Sequence, residues 1–300
     1  MPDLKNSERS SDRQDTAELE PLGPPLIVEA CGRTDRGRMR ENNEDQFVVA
    51  ELAKILRVDQ TSLPGPDEKA SANRAHLFLV ADGMGGYAGG EVASRIVAST
   101  VEEWLLDSLK WFLQTRGAEG DEVADTLQAA VHEADQKVIG EAKRRPELYG
   151  MGSTLTLAFH LGRELFVAHV GDSRAYLCRN GRLYRLTRDH TLLAELSRRG
   201  KLLPGYEDSE RLKHTITNAI GGTHPGARAD LVRSPVEPGD RLLLCTDGLT
   251  DLLSDEEIAG LLDSYLDPDA ACERLVALAN ERGGHDNITV VVASFRAARE

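Results

Sequence analysis

The way strand-like and helix-like stretches are grouped along this chain is what most restricts its possible folds. Runs enriched in β-branched and aromatic residues fall at 46–50, 76–81, 154–159, 164–170, 175–179, 240–245 and 287–295, and are read as strands. Between the second and third of these runs lie two long stretches with a helical apolar period. Residues 91–113 place Val92, Ile96, Val97, Val101, Leu105, Leu109 and Phe112 on one face, and residues 122–143 place Val123, Leu127, Val131, Ala134 and Val138 likewise. Further on, Ser254-Asp-Glu-Glu257 forms a capping box ahead of Ile258, Leu261 and Leu262. Asp267-Pro268 opens another helix, which Gly283-Gly284 closes. Asn180-Gly181, between two short apolar runs, reads as a hairpin turn. Strands are thus grouped and helices paired, without βαβ alternation, which favours an α+β layered fold over a doubly wound sheet. Two segments resist assignment: 51–75, polar and containing Pro and Gly, and 188–225, in which a short helix at 192–199 is mixed with loops.

Residues 1–25 are rich in Ser, Asp, Glu and Arg and end in Pro21-Leu-Gly-Pro-Pro25. Such a stretch buries too little apolar surface to offset its ordering entropy, so a disordered tail is expected, followed by one domain over 26–300. The N-terminus is polar and charged, unlike a signal peptide, and no apolar run approaches the roughly 20 residues that span a bilayer. Cys31, Cys178, Cys245 and Cys272 are far apart, with no C-x-x-C pair, as expected of free thiols in a reducing compartment. A cytoplasmic monomer with no membrane span is the expectation. Lys plus Arg number 36 against 50 Asp plus Glu, a net charge of -14. That balance argues against nucleic acid as the main partner, because phosphate backbones are bound by clustered cations.

The placement of the aspartates says more than their number. Asp82 ends the run Leu77-Phe-Leu-Val-Ala81 and precedes Gly83-Met-Gly-Gly86. Asp172 ends Leu165-Phe-Val-Ala-His-Val-Gly171, and Asp247 ends Leu242-Leu-Leu-Cys-Thr246. Asp286 directly precedes the strand run at 287–295, and Asp45, after Glu44, leads into Phe47-Val-Val49. One Asp at a strand end is an ordinary turn former. Five at strand margins can converge, and buried carboxylates that meet without partners repel until a cation joins them. Oxygen donors without thiolates or paired imidazoles suit Mg²⁺ or Mn²⁺. Gly83 would let its backbone carbonyl approach such an ion. Two ions a few ångströms apart can hold a bridging hydroxide, taking the pKa of water from about 15.7 to near neutral, for attack at phosphorus. Arg40, five residues before Asp45, supplies a guanidinium matched to phosphate oxygens.

Six motifs then resemble, in order, those of the type 2C (metal-dependent, PPM) protein phosphatases, most closely the bacterial branch. They are Arg40-Glu-Asn-Asn-Glu-Asp45, Asp82-Gly-Met-Gly-Gly86, Gly150-Met-Gly-Ser-Thr154, Gly171-Asp-Ser-Arg174, Thr246-Asp-Gly-Leu249 and Gly284-His-Asp-Asn-Ile-Thr289. The resemblance covers roughly residues 28–295 and implies a four-layer α-β-β-α sandwich, two central antiparallel sheets flanked by helical pairs, with metals at one end. It also implies roles. Asp82 would bridge two metals, with the Gly83 carbonyl on one of them and Asp247 and Asp286 on the other. Glu44 and Asp45 would hold metal-bound waters or ligate directly, and Asp172 with Asp247 would bind a third, weaker ion. Arg40 would bind the phosphate, Ser173 and Arg174 would orient Asp172, and residues 188–225 would form a flap beside the site.

The implied activity is one-step hydrolysis of phosphoserine and phosphothreonine on proteins, the substrates of a Ser/Thr kinase, by a water or hydroxide bridging two Mn²⁺ or Mg²⁺ ions. No nucleophilic cysteine motif supports a cysteinyl-phosphate route. Eukaryotic members carry a histidine just after the Asp-Gly pair as a proposed general acid; here Met84 stands there, and the proton donor is left open, with a metal-bound water preferred. His169, His190 and His285 lie near site motifs in sequence but read as packing or surface histidines. Segment 51–75 is longer than in compact bacterial members. The competing readings are a catalytically inactive type 2C-like binding module, disfavoured because every expected ligand position is acidic, and a two-metal nuclease, disfavoured for want of a basic groove.

Overall fold

The computed structural model describes residues 26–58, 60, 68–85, 89–112, 120–207, 209–223 and 226–298. The expected tail at 1–25 lies outside the described residues. In chain order the elements begin β1 (Leu26–Asp35), β2 (Asp45–Arg57), β3 (Glu68–Met84), α1 (Gly89–Phe112) and α2 (Gly120–Arg144). The short β4 (Gly152–Ser153) follows, then β5 (Leu155–Leu161), β6 (Glu164–Val170), β7 (Arg174–Arg179) and β8 (Arg182–Arg185). Next come α3 (Leu192–Arg198), α4 (Glu210–Lys213), β9 (Ile220–Gly221), β10 (Asp230–Pro235) and β11 (Arg241–Cys245). The chain closes with α5 (Asp247–Thr250), α6 (Asp255–Ser264), α7 (Pro268–Glu281) and β12 (Ile288–Ala297). Among the described residues no helix is long and apolar enough to cross a membrane.

The strands form two antiparallel sheets. One has the order β1-β12-β11-β7-β8; the other runs β10-β6-β5-β3-β4-β9, with β2 also paired to β3. The period of two along each strand sorts its side chains between two cores. Phe78 and Val80 of β3 face the other sheet and meet Leu242, Leu244, Val291 and Phe295. Leu77 and Leu79, one residue out of phase, face the opposite way and pack with Val97, Val101, Leu127 and Val131 of α1 and α2. On the far side, Ile258, Leu262, Leu275 and Ala279 of α6 and α7 cover Leu243, Val290 and Val292. Three cores between four layers give the expected α-β-β-α sandwich, and they explain why its inner strands are apolar on both faces.

The helix-end signals act as expected. Ser254 and Glu257 form a reciprocal capping box, and Asp267 accepts a hydrogen bond from the Ala270 N–H. Asn180 and Gly181 both take positive φ, as a tight hairpin demands. The unassigned segment 51–75 is a different matter. β2 runs through it to Arg57 and β3 starts at Glu68, pairing Ile55 with Ala70 past a register shift. Polar composition conceals an antiparallel pair of strands. β1 and β10 also lack a sequence signal. β1 is interrupted by Gly32, where a side chain would collide with the Phe47 ring, and β10 alternates half-buried and exposed residues at a sheet edge.

Across the β3–β5 pairing, away from Asp82, His76 and His160 face each other with Nδ1 atoms 3.4 Å apart, and burial lowers both to a pKa of about 4. Below about pH 6.5 the unfolded chain therefore binds protons that the fold refuses, so stability falls as pH drops toward 4. For the deeply buried His160 the loss is on the order of 3 kcal/mol. Urea midpoints between pH 7 and pH 4.5 are expected to fall in the wild type and to fall less in His160→Phe.

Candidate metal centre

The acidic residues come together because both sheets end on the same side. Asp45 and Asp82 are paired residues at adjoining ends of β2 and β3. Asp172 lies in the turn from β6 to β7, Asp247 opens α5 directly after β11, and Asp286 stands two residues before β12. The electrostatics report their proximity. Burial, then the charges of Asp45, Asp247, Asp172 and Asp286, push the Asp82 carboxyl well above the usual carboxylate range. Burial likewise raises Asp45 to about 7, against two hydroxyl hydrogen bonds that lower it, and Asp172 to about 8, aided by Asp247.

A set of small polar side chains holds these groups in place. The Asp82 N–H donates to Thr154 Oγ1 at 2.9 Å, the Thr154 N–H returns to the Asp82 carbonyl at 2.9 Å, and Ser153 donates to that carbonyl at 3.0 Å. Asp45 Oδ2 accepts from the hydroxyls of Thr246 (2.9 Å) and Thr289 (2.6 Å). Glu44 is fixed through its backbone: its N–H donates to Asn287 Oδ1 at 2.8 Å, and its carbonyl accepts from Ser94 Oγ at 2.6 Å. A Cβ on Gly83 would collide with the Gly90 carbonyl, and one on Gly90 would sit 2.5 Å from Glu44 Oε2. The two glycines therefore let the Gly83 backbone and the Glu44 carboxylate approach each other.

Arg40 does not stand free. Its Nη2 donates to Asp286 Oδ2 at 2.6 Å while the side chain remains about half exposed at the rim, and the Asn287 N–H donates to Asp286 Oδ1 at 2.8 Å. Asp45 Oδ1 and Asp247 Oδ1 are buried with no hydrogen-bond partner among the described residues. Buried carboxylate oxygens without donors are costly unless a cation fills the space. The surrounding donors are carboxylates and the Gly83 carbonyl, a set that fits hard divalent ions such as Mg²⁺ and Mn²⁺.

The expected roles of Arg174 and Ser173 need revision. Among the described residues no hydrogen bond joins Arg174 to Asp172; its guanidinium makes two bonds to Asp189, at 2.8 and 3.1 Å, and so ties the site to the root of the flap. Ser173 bonds Thr154 Oγ1 at 2.8 Å instead of Asp172. His169 donates through Nε2 to the Arg188 carbonyl at 2.9 Å, and His190 Nδ1 accepts from the Gly171 N–H at 3.1 Å, so this pair clamps the flap root. His285 lines the rim beside Arg40 and Asp286. Sequence reading passed over Asp251 and His214. Asp251, four residues after Asp247, carries the helical spacing that puts both on one face. His214, in the flap segment without a pattern, carried no signal at all. Both line a cleft of about 370 Å³ with Asp172, Arg174, Asp189 and Asp247.

Comparisons with known proteins agree with this geometry. Residues 60–282 match the family model for protein phosphatase 2C. The serine/threonine protein phosphatase PstP of Mycobacterium tuberculosis is 34% identical over 270 residues, 89% of this chain but 45% of that protein, so the chain spans about half its length. The serine/threonine phosphatase stp of Listeria innocua is 31% identical over 260 residues, covering 87% of this chain and 93% of that protein. Among solved structures, the catalytic domain of PstP in complex with two manganese ions superposes with a TM-score of 0.69 at 34% identity, over 90% of this chain and 99% of that one. Six ordered motifs, a four-layer sandwich and an acidic cluster between its sheet ends have one common explanation: the chain belongs to the protein phosphatase 2C family.

Proposed function

We propose that this protein is a divalent-metal-dependent phosphatase that hydrolyses phosphoserine and phosphothreonine on proteins. One observation carries the reading: five carboxylates from five chain segments meet at one sandwich end, two of them with buried oxygens that nothing described satisfies. Relatives that carry the name serine/threonine phosphatase, one of them solved with two manganese ions, support it.

In this reading Asp82, the Gly83 carbonyl, Asp247 and Asp286 would hold two divalent ions. Asp45, held from behind by two threonine hydroxyls, fits a role in orienting water, and Glu44 shares it. When bound, the ions supply Lewis-acid activation of water and of the phosphoryl oxygens. The chain's own contribution is placement. Arg40, steadied by Asp286, presents its remaining N–H groups to the phosphate at the rim, and a guanidinium engages two phosphate oxygens at once. Met84 has no acidic proton to give, and water is the preferred donor to the leaving serine or threonine oxygen.

Hydrolysis of a phosphothreonine peptide with Mn²⁺, and its loss in EDTA, is the expected result. No turnover by Mn²⁺-saturated protein would favour the inactive binding module, and turnover of DNA in place of the peptide would favour the nuclease. The physiological substrates would be phosphoproteins made by a Ser/Thr kinase.

A further inference from the structure

We propose that an arginine-lined cleft behind α3 docks an acidic segment of the substrate protein, Asp or Glu side chains that flank the phosphorylated residue. The proposal deepens the phosphatase reading and rests on it for the reaction at the metal centre. It names which phosphoproteins the site would prefer.

The cleft, of about 850 Å³, lies between the end of β8, α3 and the approach to β10. Arg185, Arg188, Arg198 and Arg228 all line it. In a chain of net charge -14, four guanidiniums around one hollow run against the general surface. Three carboxylates share the lining, and each is already engaged. Asp189 takes Arg174 and Arg185, and Glu195 takes Arg199 at 3.2 Å. Asp230 takes Arg188 at 3.1 Å and stands 3.5 Å from His190 Nε2. Among the described residues no carboxylate pairs with Arg198 or Arg228, and both are exposed. The internal pairs therefore leave two guanidiniums for carboxylates supplied from outside, which such a fork engages through two parallel N–H donors.

The cleft is held in shape. Asn218 Nδ2 donates to the Arg228 carbonyl at 2.8 Å, and its Oδ1 accepts the Arg228 N–H at 3.4 Å. The Thr217 N–H donates to the His190 carbonyl at 2.8 Å, and the His190 N–H to the Gly171 carbonyl at 2.7 Å. Backbone bonds thus tie the cleft to the turn that carries Asp172.

Continuity with the metal centre indicates the occupant. Asp189, Ala194 and Ser197 line both this cleft and the one that holds Asp172 and Asp247, so the two adjoin across α3. A helix with its side chains is about 10–12 Å thick and an extended chain advances roughly 3.3 Å per residue, so an acidic group about three or four residues from the phosphorylated one spans it. A polypeptide suits this path better than a nucleic acid. It can leave neutral backbone beside Asp189, Glu195 and Asp230, whereas a phosphodiester chain carries a charge at every step.

Two phosphothreonine peptides test this on the Mn²⁺-saturated full chain. One carries Asp and Glu about three to five positions to either side of the phosphothreonine, and the other carries Asn and Gln there. The acidic peptide should show a kcat/KM about five- to tenfold higher, through KM, with the advantage shrinking at high salt. The double variant Arg198→Glu/Arg228→Glu should erase that advantage and leave kcat and the hydrolysis of p-nitrophenyl phosphate unchanged. Arg198→Lys/Arg228→Lys should keep most of it. Equal kcat/KM for the two peptides, an advantage that survives the charge reversal, or an equal loss on p-nitrophenyl phosphate overturns the proposal. Fluorescence anisotropy with the unphosphorylated acidic peptide reads the cleft without the reaction. Binding that the charge reversal weakens about five- to tenfold, with neither peptide hydrolysed, keeps the docking role and removes the phosphatase reading. Turnover indifferent to peptide charge does the reverse, and absence of both binding and turnover overturns both. A single-stranded oligonucleotide bound more tightly than the acidic peptide would give the cleft to nucleic acid and likewise overturn the proposal.

Discussion

Replacing Asp82 with Asn is expected to lower Mn²⁺-dependent phosphopeptide hydrolysis by on the order of 10³-fold or more while making the metal-free protein more stable. The two effects have one cause. Asp82 is buried, and four other aspartates act on its carboxyl with the same sign. Without metal that repulsion opposes folding, and an amide of nearly the same shape relieves it. In the proposed reading the same negative charge would hold the cations when they bind, and the amide cannot replace it. Steady-state kinetics with Mn²⁺ and thermal melts in EDTA measure the two halves separately. Wild-type turnover in Asp82→Asn would sink the two-ion assignment, and an unchanged melt in EDTA would sink the repulsion argument.

A second large effect is expected in the pH dependence of stability. In the fold Asp45 titrates near 7 and Asp172 near 8, above the ordinary carboxylate value of about 3.9 in an unfolded chain. Between these values the folded state holds protons that the unfolded chain has released. Stability is therefore complete below about pH 4 as far as these groups are concerned, and is lost as pH rises through 7 to 8. The buried histidines His76 and His160 act in the opposite sense below about 6.5, so the window from pH 6.5 to 8.5 isolates the acidic cluster. In EDTA the melting temperature should fall across that window. Saturating Mn²⁺, which binds the deprotonated carboxylates, should abolish most of the fall. A flat profile in EDTA would mean that these carboxylates are compensated within the protein, contrary to the unsatisfied oxygens of Asp45 and Asp247.

Legibility differed from element to element for physical reasons. The helices α1 and α2 were readable because a core-facing helix must repeat its apolar residues every turn, and Val97, Val101, Leu127 and Val131 do so. The caps at Ser254 and Asp267 were readable because capping is a contact between near neighbours in the chain. β1 was not, because its partner β12 lies at the far end of the chain, and the polar outer halves of β2 and β3 carry no strand period in sequence. Arg174 shows the limit at the level of one residue. Its neighbour in sequence is Asp172, but its guanidinium reaches Asp189, fifteen positions later.

By itself the sequence determined that apolar runs would end in aspartates beside glycines, and it settled the layered class, because strand propensity, helical period and turn chemistry are local properties. Only the tertiary structure decided which carboxylates share a field and which oxygens have no donor. It alone brought His214 to Asp247 and Asp251. Those are matters of distance and burial between segments as far apart in the chain as Arg40 and Asp286, 246 positions, and no spacing along a chain encodes them.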